Sequence, residues 1–138
     1  MKFTQQSTFN MDFSYRLYDE IDRDYLYTLS RTNRLAITCE SACGIPIGCV
    51  VLARRMNRLR ICLFIVHPEY RQLGIGKKLM RVIINILNDD CNDATELYAV
   101  VPYAVDTAEY QAFLYNSGFR LTNVLPNGKG IMTYGRTI

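Results

Sequence analysis

The stretch "IVHPEYRQLGIGKKLM" occupies residues 65–80, and its reading decides the fold. It begins as the apolar end of a strand, passes through a short polar turn and two glycines spaced by one residue, and enters a basic amphipathic helix. A helix N-terminus presents unpaired N–H groups and the positive end of its dipole. Where the loop before it curls tightly, several N–H groups converge on one point and make an anion nest. Residues without a Cβ let a phosphate oxygen approach to hydrogen-bond distance. Gly74 and Gly76 supply that clearance, and Arg71, Lys77 and Lys78 add positive charge nearby. The pattern points to a phosphate or pyrophosphate site at the start of the helix. The plainer alternative is that the glycines only shape a strand-to-helix turn. Two phosphate motifs are excluded. A Walker A loop needs glycine where Arg71 stands and Ser or Thr where Lys78 stands. A dinucleotide fingerprint needs a third glycine where Leu79 stands.

Working outward, residues 75–88 make the clearest helix. Ile75, Leu79, Val82, Ile83, Ile86 and Leu87 fall on one face, with Lys77, Lys78, Arg81, Asn85 and Asn88 opposite. The run "LRICLFIV" (59–66) before it is almost continuously apolar, as a strand covered on both faces would be. "ELYAVVP" (96–102) is a further strand. Strand 59–66, helix 75–88 and strand 96–101 make a βαβ unit, whose two strands are parallel. Upstream, "LAITCE" (35–40) and "IGCVVLA" (47–53) join 59–66 through short turns in an antiparallel meander. Residues 9–15 alternate apolar and polar, a half-buried strand. Leu17, Ile21, Tyr25 and Leu29 mark an amphipathic helix over 17–30. Downstream, Asp106 and Glu109 have capping-box spacing, and Gly118 suits the end of the helix they open. The chain closes on a hairpin with Asn127-Gly128 as its turn signal. The expected fold is α/β: one domain over 1–138, a mixed sheet of an antiparallel meander plus one parallel pair, and three to four helices.

Composition narrows the class. The chain has 138 residues and a net charge of +3, too small to indicate a nucleic-acid partner by itself. The arginines at 54, 55, 58 and 60 read most simply as a solvated surface. The five cysteines, Cys39, Cys43, Cys49, Cys62 and Cys91, are an odd, scattered set that suits reduced thiols. His67 is the single histidine, and no pattern of metal ligands is present, so no metal is expected. No run is long and apolar enough to span a bilayer, and the residues after Met1 are polar; the expected compartment is the cytoplasm.

The run "VHPEYRQLGIGKKL" (66–79) resembles the acyl-CoA-binding motif of the GNAT superfamily of N-acyltransferases. That motif follows a strand ending in Val-x-Pro and opens a helix; it reads Gln or Arg, two residues, Gly, one residue, then Gly or Ala. Arg71, Gly74 and Gly76 match it. "AFLYNSGF" (112–119) looks like the family's later helix, which ends in a Gly-Phe pair. The resemblance implies a GNAT-like sheet whose parallel pair splays at the centre, and acetyl-CoA as the acyl donor. It implies that the backbone N–H groups of Gln72, Leu73, Gly74, Ile75, Gly76 and Lys77 cradle a pyrophosphate, with Arg71 part of the same binding loop. Lys77, Lys78 or Arg81 would meet the nucleotide's 3′-phosphate. Phe64, Ile65 and Val66 would pair with the pantetheine arm, with the Phe64 amide facing the thioester carbonyl.

The family's usual catalytic groups are missing. Its glutamate base would fall at Arg60 or a neighbour, and no carboxylate lies between Arg54 and Pro68. Its tyrosine acid would fall at Leu114, with Tyr115 next to it, about 100° around a helix. Tyr115 is the candidate acid, against the reading that it is an ordinary amphipathic tyrosine; Tyr110, Glu40, Glu96 and His67 are weaker candidates. Three functions stay open: an N-acetyltransferase acting on a primary amine, a catalytically weak or inactive acyl-CoA-binding module, and an enzyme whose acceptor is a macromolecule. An exposed edge strand would allow a homodimer. No membrane partner is expected.

Overall fold

The computed structural model describes residues 2–6, 35–71, 73–89, 93–101 and 108–135. Seven strands, β1 (Lys2–Gln6), β2 (Leu35–Glu40), β3 (Pro46–Arg55), β4 (Arg58–Val66), β5 (Glu96–Val101), β6 (Arg120–Val124) and β7 (Gly130–Gly135), form a sheet in the order β1-β2-β3-β4-β5-β7-β6. Two helices, α1 (Ile75–Asn88) and α2 (Ala108–Asn116), and a 3-10 turn at Pro68–Tyr70 complete the described elements. The sheet is mixed: β4 and β5 are parallel, while β1–β2, β2–β3, β5–β7 and β6–β7 are antiparallel. This is the α/β sheet expected from the sequence. The strand expected over 9–15 and the helix over 17–30 lie outside the described residues, as does Asp106. β1 is a strand that periodicity does not mark. Phe3 is its one apolar residue, and its pairing with β2 rather than a buried face places it in the sheet.

The chain divides into two compact units. The first takes in Met1–Ala53 and Cys62–Val82. Its core is β3, where every residue from Pro46 to Ala53 is buried. β3, not β4, is therefore the strand covered on both faces. In β4 only Leu59 and Ile61 are buried, and Cys62 to Val66 are half-exposed throughout. An apolar run does not by itself say which strand is covered, and here β4 keeps five apolar residues partly in contact with water.

Helix α1 lies close on this unit because of Gly48. A Cβ at that position would stand 2.8 Å from Leu79 Cδ1 and 3.3 Å from the Ile65 carbonyl oxygen. Ile75 and Leu79 are almost wholly buried there. The face of α1 that is buried carries Ile75, Leu79, Met80, Ile83 and Leu87. Val82 and Ile86, expected on that face, are only half-buried, and Met80 is buried in their stead.

The second unit takes in Arg54–Ile61 and Ile83–Ile138. Its parallel register pairs Arg58 with Glu96, Leu59 with Leu97 and Arg60 with Tyr98. The β3–β4 turn is tied to the start of β5, since Asn57 C=O accepts from the Thr95 N–H at 2.7 Å. Arg54 donates to the Met56 carbonyl and pairs with Asp93. Arg58 pairs with Glu96 and lies over the Tyr98 ring, 4.1 Å from its centroid.

Helix α2 ends in a Schellman motif. The Phe119 N–H donates to Leu114 C=O at 3.0 Å and the Gly118 N–H to Tyr115 C=O at 3.1 Å. Gly118 takes φ +103°, the left-handed value expected of it. The motif brings Leu114 and Phe119 together in the core, both fully buried. In the last hairpin the Leu125 N–H donates to Lys129 C=O at 2.7 Å, and the Asn127 side chain accepts from the Lys129 N–H at 3.1 Å.

Gly48→Ala is expected to lower stability by about 1–3 kcal/mol, the usual cost of overpacking. Urea unfolding measures it. In a Leu79→Ala background the same substitution should cost distinctly less, because the atom it strikes is gone.

Candidate active site

The loop between β4 and α1 is folded back on the strand it leaves. The His67 N–H donates to Ile47 C=O at 2.7 Å, which continues the pairing of β4 with β3. Pro68 opens the 3-10 turn, and His67 caps it: its Nδ1 accepts from the Glu69 N–H at 3.1 Å. The His67 ring also meets Tyr70 edge-on, 5.5 Å between centroids. His67, half-buried, thus serves as the cap of this turn. Arg71 Nε donates to Val66 C=O at 3.0 Å, drawing the end of the loop to the end of the strand. The sequence marks Arg71 for its charge; in the structure it also acts as a tether.

At Gly74 the loop becomes helix. The Lys78 N–H donates to Gly74 C=O at 3.1 Å, the first turn of α1. The amides of Ile75, Gly76 and Lys77 therefore come before the first intrahelical bond and belong to the orphan donors of a helix start. Gly74 has φ +80°, and a Cβ built on it meets nothing within 4 Å. The glycine is required by its backbone angle, and the space above it is open. Lys77 and Lys78 follow it in the first turn of the helix and Arg81 in the next, all three exposed, and Leu73 is 64% exposed. Gln72 lies outside the described residues. Phe64, Ile65 and Val66 form the half-exposed end of β4 that leads into this loop. Of the predicted cofactor residues, all but Gln72 fall on this one strand–loop–helix run.

The catalytic candidates are placed apart from it in the sequence. Leu114, at the family's acid position, is buried against Phe119 and carries no proton to give. Tyr115 is 55% exposed, on the outer side of α2. Its ring lies under the Arg120 guanidinium, 4.2 Å from centroid to Cζ. Arg120 Nη1 also donates to the Tyr115 carbonyl at 3.1 Å and to the Phe119 carbonyl at 2.7 Å, so the arginine both caps the helix and holds the ring. Sequence reasoning passes over Arg120; its place just after the Gly-Phe pair is the available signal. Glu96 is engaged by Arg58, and Glu40 ends β2 opposite Lys2. Arg60 stands on β4 where the family's base would fall.

A cavity of about 360 Å³ lies within the second unit, lined by Val101, Gln111, Ala112, Tyr115, Leu121 and Met132 among others. Cysteine chemistry is not prominent. Cys39 is buried, and burial pushes its thiol above the ordinary value and keeps it protonated. Among the described residues no group of three or more His, Cys, Asp or Glu is placed to hold a metal, and no helix is long and apolar enough to cross a membrane.

A mixed sheet with one parallel pair, and a glycine-turned helix N-terminus following the partly exposed end of a central strand, make a GNAT-like α/β fold. The chain belongs to the acetyltransferase (GNAT) family, whose model matches residues 4–119. No curated protein matches it in sequence. Solved structures match over nearly the whole chain. The ribosomal-protein-S18-alanine N-acetyltransferase from Escherichia coli is similar with TM-score 0.78 and 14% identity, covering 99% of this chain and 96% of that one. An aminoglycoside 6′-N-acetyltransferase complexed with coenzyme A gives TM-score 0.77 and 13% identity, covering 100% and 98%. The PaiA N-acetyltransferase from Thermoplasma acidophilum, in complex with coenzyme A, gives 0.68 and 14%, covering 98% and 99%. At these identities the likeness is one of fold.

Because Gly74 is left-handed, Gly74→Ala is expected to cost about 1–2 kcal/mol of stability. Gly74→Asn should cost less than Gly74→Val, since asparagine tolerates that region and β-branched residues do not. Denaturant unfolding of the three variants gives the order.

Proposed function

We propose that the protein is an N-acetyltransferase, a single acyltransferase domain over 1–138 acting in the cytoplasm. It moves an acetyl group from acetyl-CoA to a primary amine by direct attack on the thioester. The observation that carries this reading is Gly74: a left-handed residue at the head of α1, with open space above it and the exposed Lys77 and Lys78 in the turn that follows. Family membership and two coenzyme A-bound neighbours of the same fold support it.

Bound acetyl-CoA supplies an acetyl carbon activated by its sulfur. The amides at the start of α1 bind the pyrophosphate, aided by the dipole of the helix. Arg71 holds the loop in shape, and Lys77 and Lys78 answer the remaining phosphate charge. The main chain of Phe64–Val66 receives the pantetheine arm as a neighbouring strand would. The neutral amine forms the new N–C bond as the C–S bond breaks. The nitrogen gives up a proton to solvent, and the sulfur takes one from Tyr115, which solvent restores.

A second reading has a specific observation behind it. Leu114 is locked in the core and Arg60 replaces a carboxylate, so a binding module with little turnover is the alternative. Thiol release from acetyl-CoA that depends on added amine favours the enzyme. Coenzyme A binding without any such release across peptides and small amines favours the module. Gly74→Glu should abolish the calorimetric heat of coenzyme A binding while the protein remains folded by circular dichroism; retained binding overturns both readings.

With no carboxylate on β4, deprotonation of the amine is left to the amine's own acidity. Across acceptors of graded pKa, the acidic limb of the kcat/KM profile should therefore move with the acceptor. A limb fixed at one pH for all acceptors would reveal a protein base. Tyr115→Phe should lower kcat by roughly 10²-fold or more, the low end of proton-transfer effects.

A further inference from the structure

The 3-10 turn that leads into the loop before α1 is capped by an imidazole, and an imidazole loses its accepting lone pair when it takes up a proton. His67 Nδ1 accepts from the Glu69 N–H at 3.1 Å, so the ring's own proton sits on Nε2. The Tyr70 N–H donates to the His67 carbonyl at 2.8 Å, and the Tyr70 ring meets the imidazole edge-on at 5.5 Å. Through its own N–H, His67 is bonded to Ile47 C=O at 2.7 Å, so strand, turn and loop meet at this residue. Charged side chains come from its own turn, as Glu69 and Arg71, and from the head of α1, as Lys77 and Lys78. β3, to which it is bonded, begins here with Pro46 and Ile47, and Glu40 of β2 stands opposite Pro46.

We propose that His67 is a pH-sensitive latch on the loop between β4 and α1. This rests on the reading that the loop holds the pyrophosphate of coenzyme A, and it adds a regulation to that site. Imidazoles take up their second proton between about pH 5 and 8. Here that proton comes from solvent and goes to Nδ1, the ring nitrogen with the lone pair. Nδ1 then faces the Glu69 N–H as donor against donor, and the cationic ring is drawn toward the Glu69 carboxylate instead. Pro68 has no N–H, so Glu69 supplies the first amide of the turn, and losing its acceptor destabilises the turn. The turn closes on Arg71, whose N–H donates to Pro68 C=O at 3.5 Å and whose Nε is bonded to Val66 C=O. Loosening it shifts the segment from Arg71 to Gly74, where the anion cradle begins. Affinity for the pyrophosphate therefore falls as the ring becomes charged. Added positive charge alone would act with the opposite sign and strengthen anion binding.

Calorimetry of dephospho-coenzyme A on the full chain, at about pH 8 and about pH 5.5, reads the latch. That ligand keeps the pyrophosphate and lacks the 3′-phosphate, which titrates in the same interval. Amide hydrogen exchange at Glu69, divided by the intrinsic rate at each pH, reads the cap with no ligand present. In the native chain the affinity should fall about fivefold on acidification, and the protection of Glu69 should fall with it. His67→Asn supplies a carboxamide oxygen that accepts the same bond and takes up no proton, so affinity and protection should hold at the high-pH native level, within about twofold, at both pH values. His67→Phe keeps a ring against Tyr70 without an acceptor and should give the low values at both. A native affinity that rises or stays level on acidification overturns the latch, as does a fall that persists in His67→Asn. No heat from dephospho-coenzyme A or from coenzyme A overturns the binding reading, and the exchange data then decide the latch alone. Glu69 protection that falls in the native chain and holds in His67→Asn supports it; protection that is level in both overturns it.

Discussion

The close approach of α1 to β3 at Gly48 is the constraint on which the candidate site depends. Leu79 occupies the space where any other residue at position 48 would place its Cβ. That contact fixes the height of the helix over the sheet, and so fixes where its N-terminus begins. The loop from Val66 to Gly74 then has to close a set gap in a set number of residues. It does so with a proline-opened 3-10 turn, the Arg71–Val66 hydrogen bond and one left-handed glycine. Each device is local, but each works only because the helix cannot slide.

The end of β4 is unusual within this frame. A strand with neighbours on both sides of the sheet would ordinarily bury its apolar side chains, and β3 does so over eight consecutive residues. Cys62 to Val66 remain half-exposed although all but one of them is strongly apolar. Leaving such surface wet costs roughly 25 cal/mol for each Å². A ligand that lies along the strand would recover part of that cost on binding, which gives the exposure a reason that stability alone does not.

Much of this is legible in the sequence, and the reasons differ by element. Helix α1 and strand β2 can be read to the residue, because 75–88 has an unbroken helical period and 35–40 is bounded by a turn cluster. The turn into α1 is legible because a glycine stands where the backbone is left-handed, at Gly74. β1 escapes because an edge strand needs no apolar face. Met80 escapes because it sits beside the core stripe of α1, where the long flexible side chain still reaches the interior. The cavity is not legible at all: its walls come from β5, α2, β6 and β7, and nothing in their spacing announces that they meet.

Helix α2 shows how a one-residue difference moves a tyrosine off the family's acid position, which Leu114 occupies, to the neighbouring Tyr115. An apolar pair at the residue four before the glycine and the one just after it frequently accompanies a Schellman motif, and Leu114 and Phe119 stand at those positions, both buried. The same geometry turns the next residue, Tyr115, outward under Arg120. Packing at the helix end and proton donation at that position therefore compete, and here packing has it. For acetyl transfer such a displacement of the acid would be tolerable in magnitude. A positioned acid or base contributes roughly 100- to 10,000-fold, whereas holding two reactants in line is worth about 7–11 kcal/mol. On the acetyl-transfer reading, a chain that keeps the loop, the helix start and the strand end would keep the greater of these two contributions to rate. On that same reading, what a displaced acid and a β4 without carboxylates give up would be met by the acidity of the acceptor amine itself.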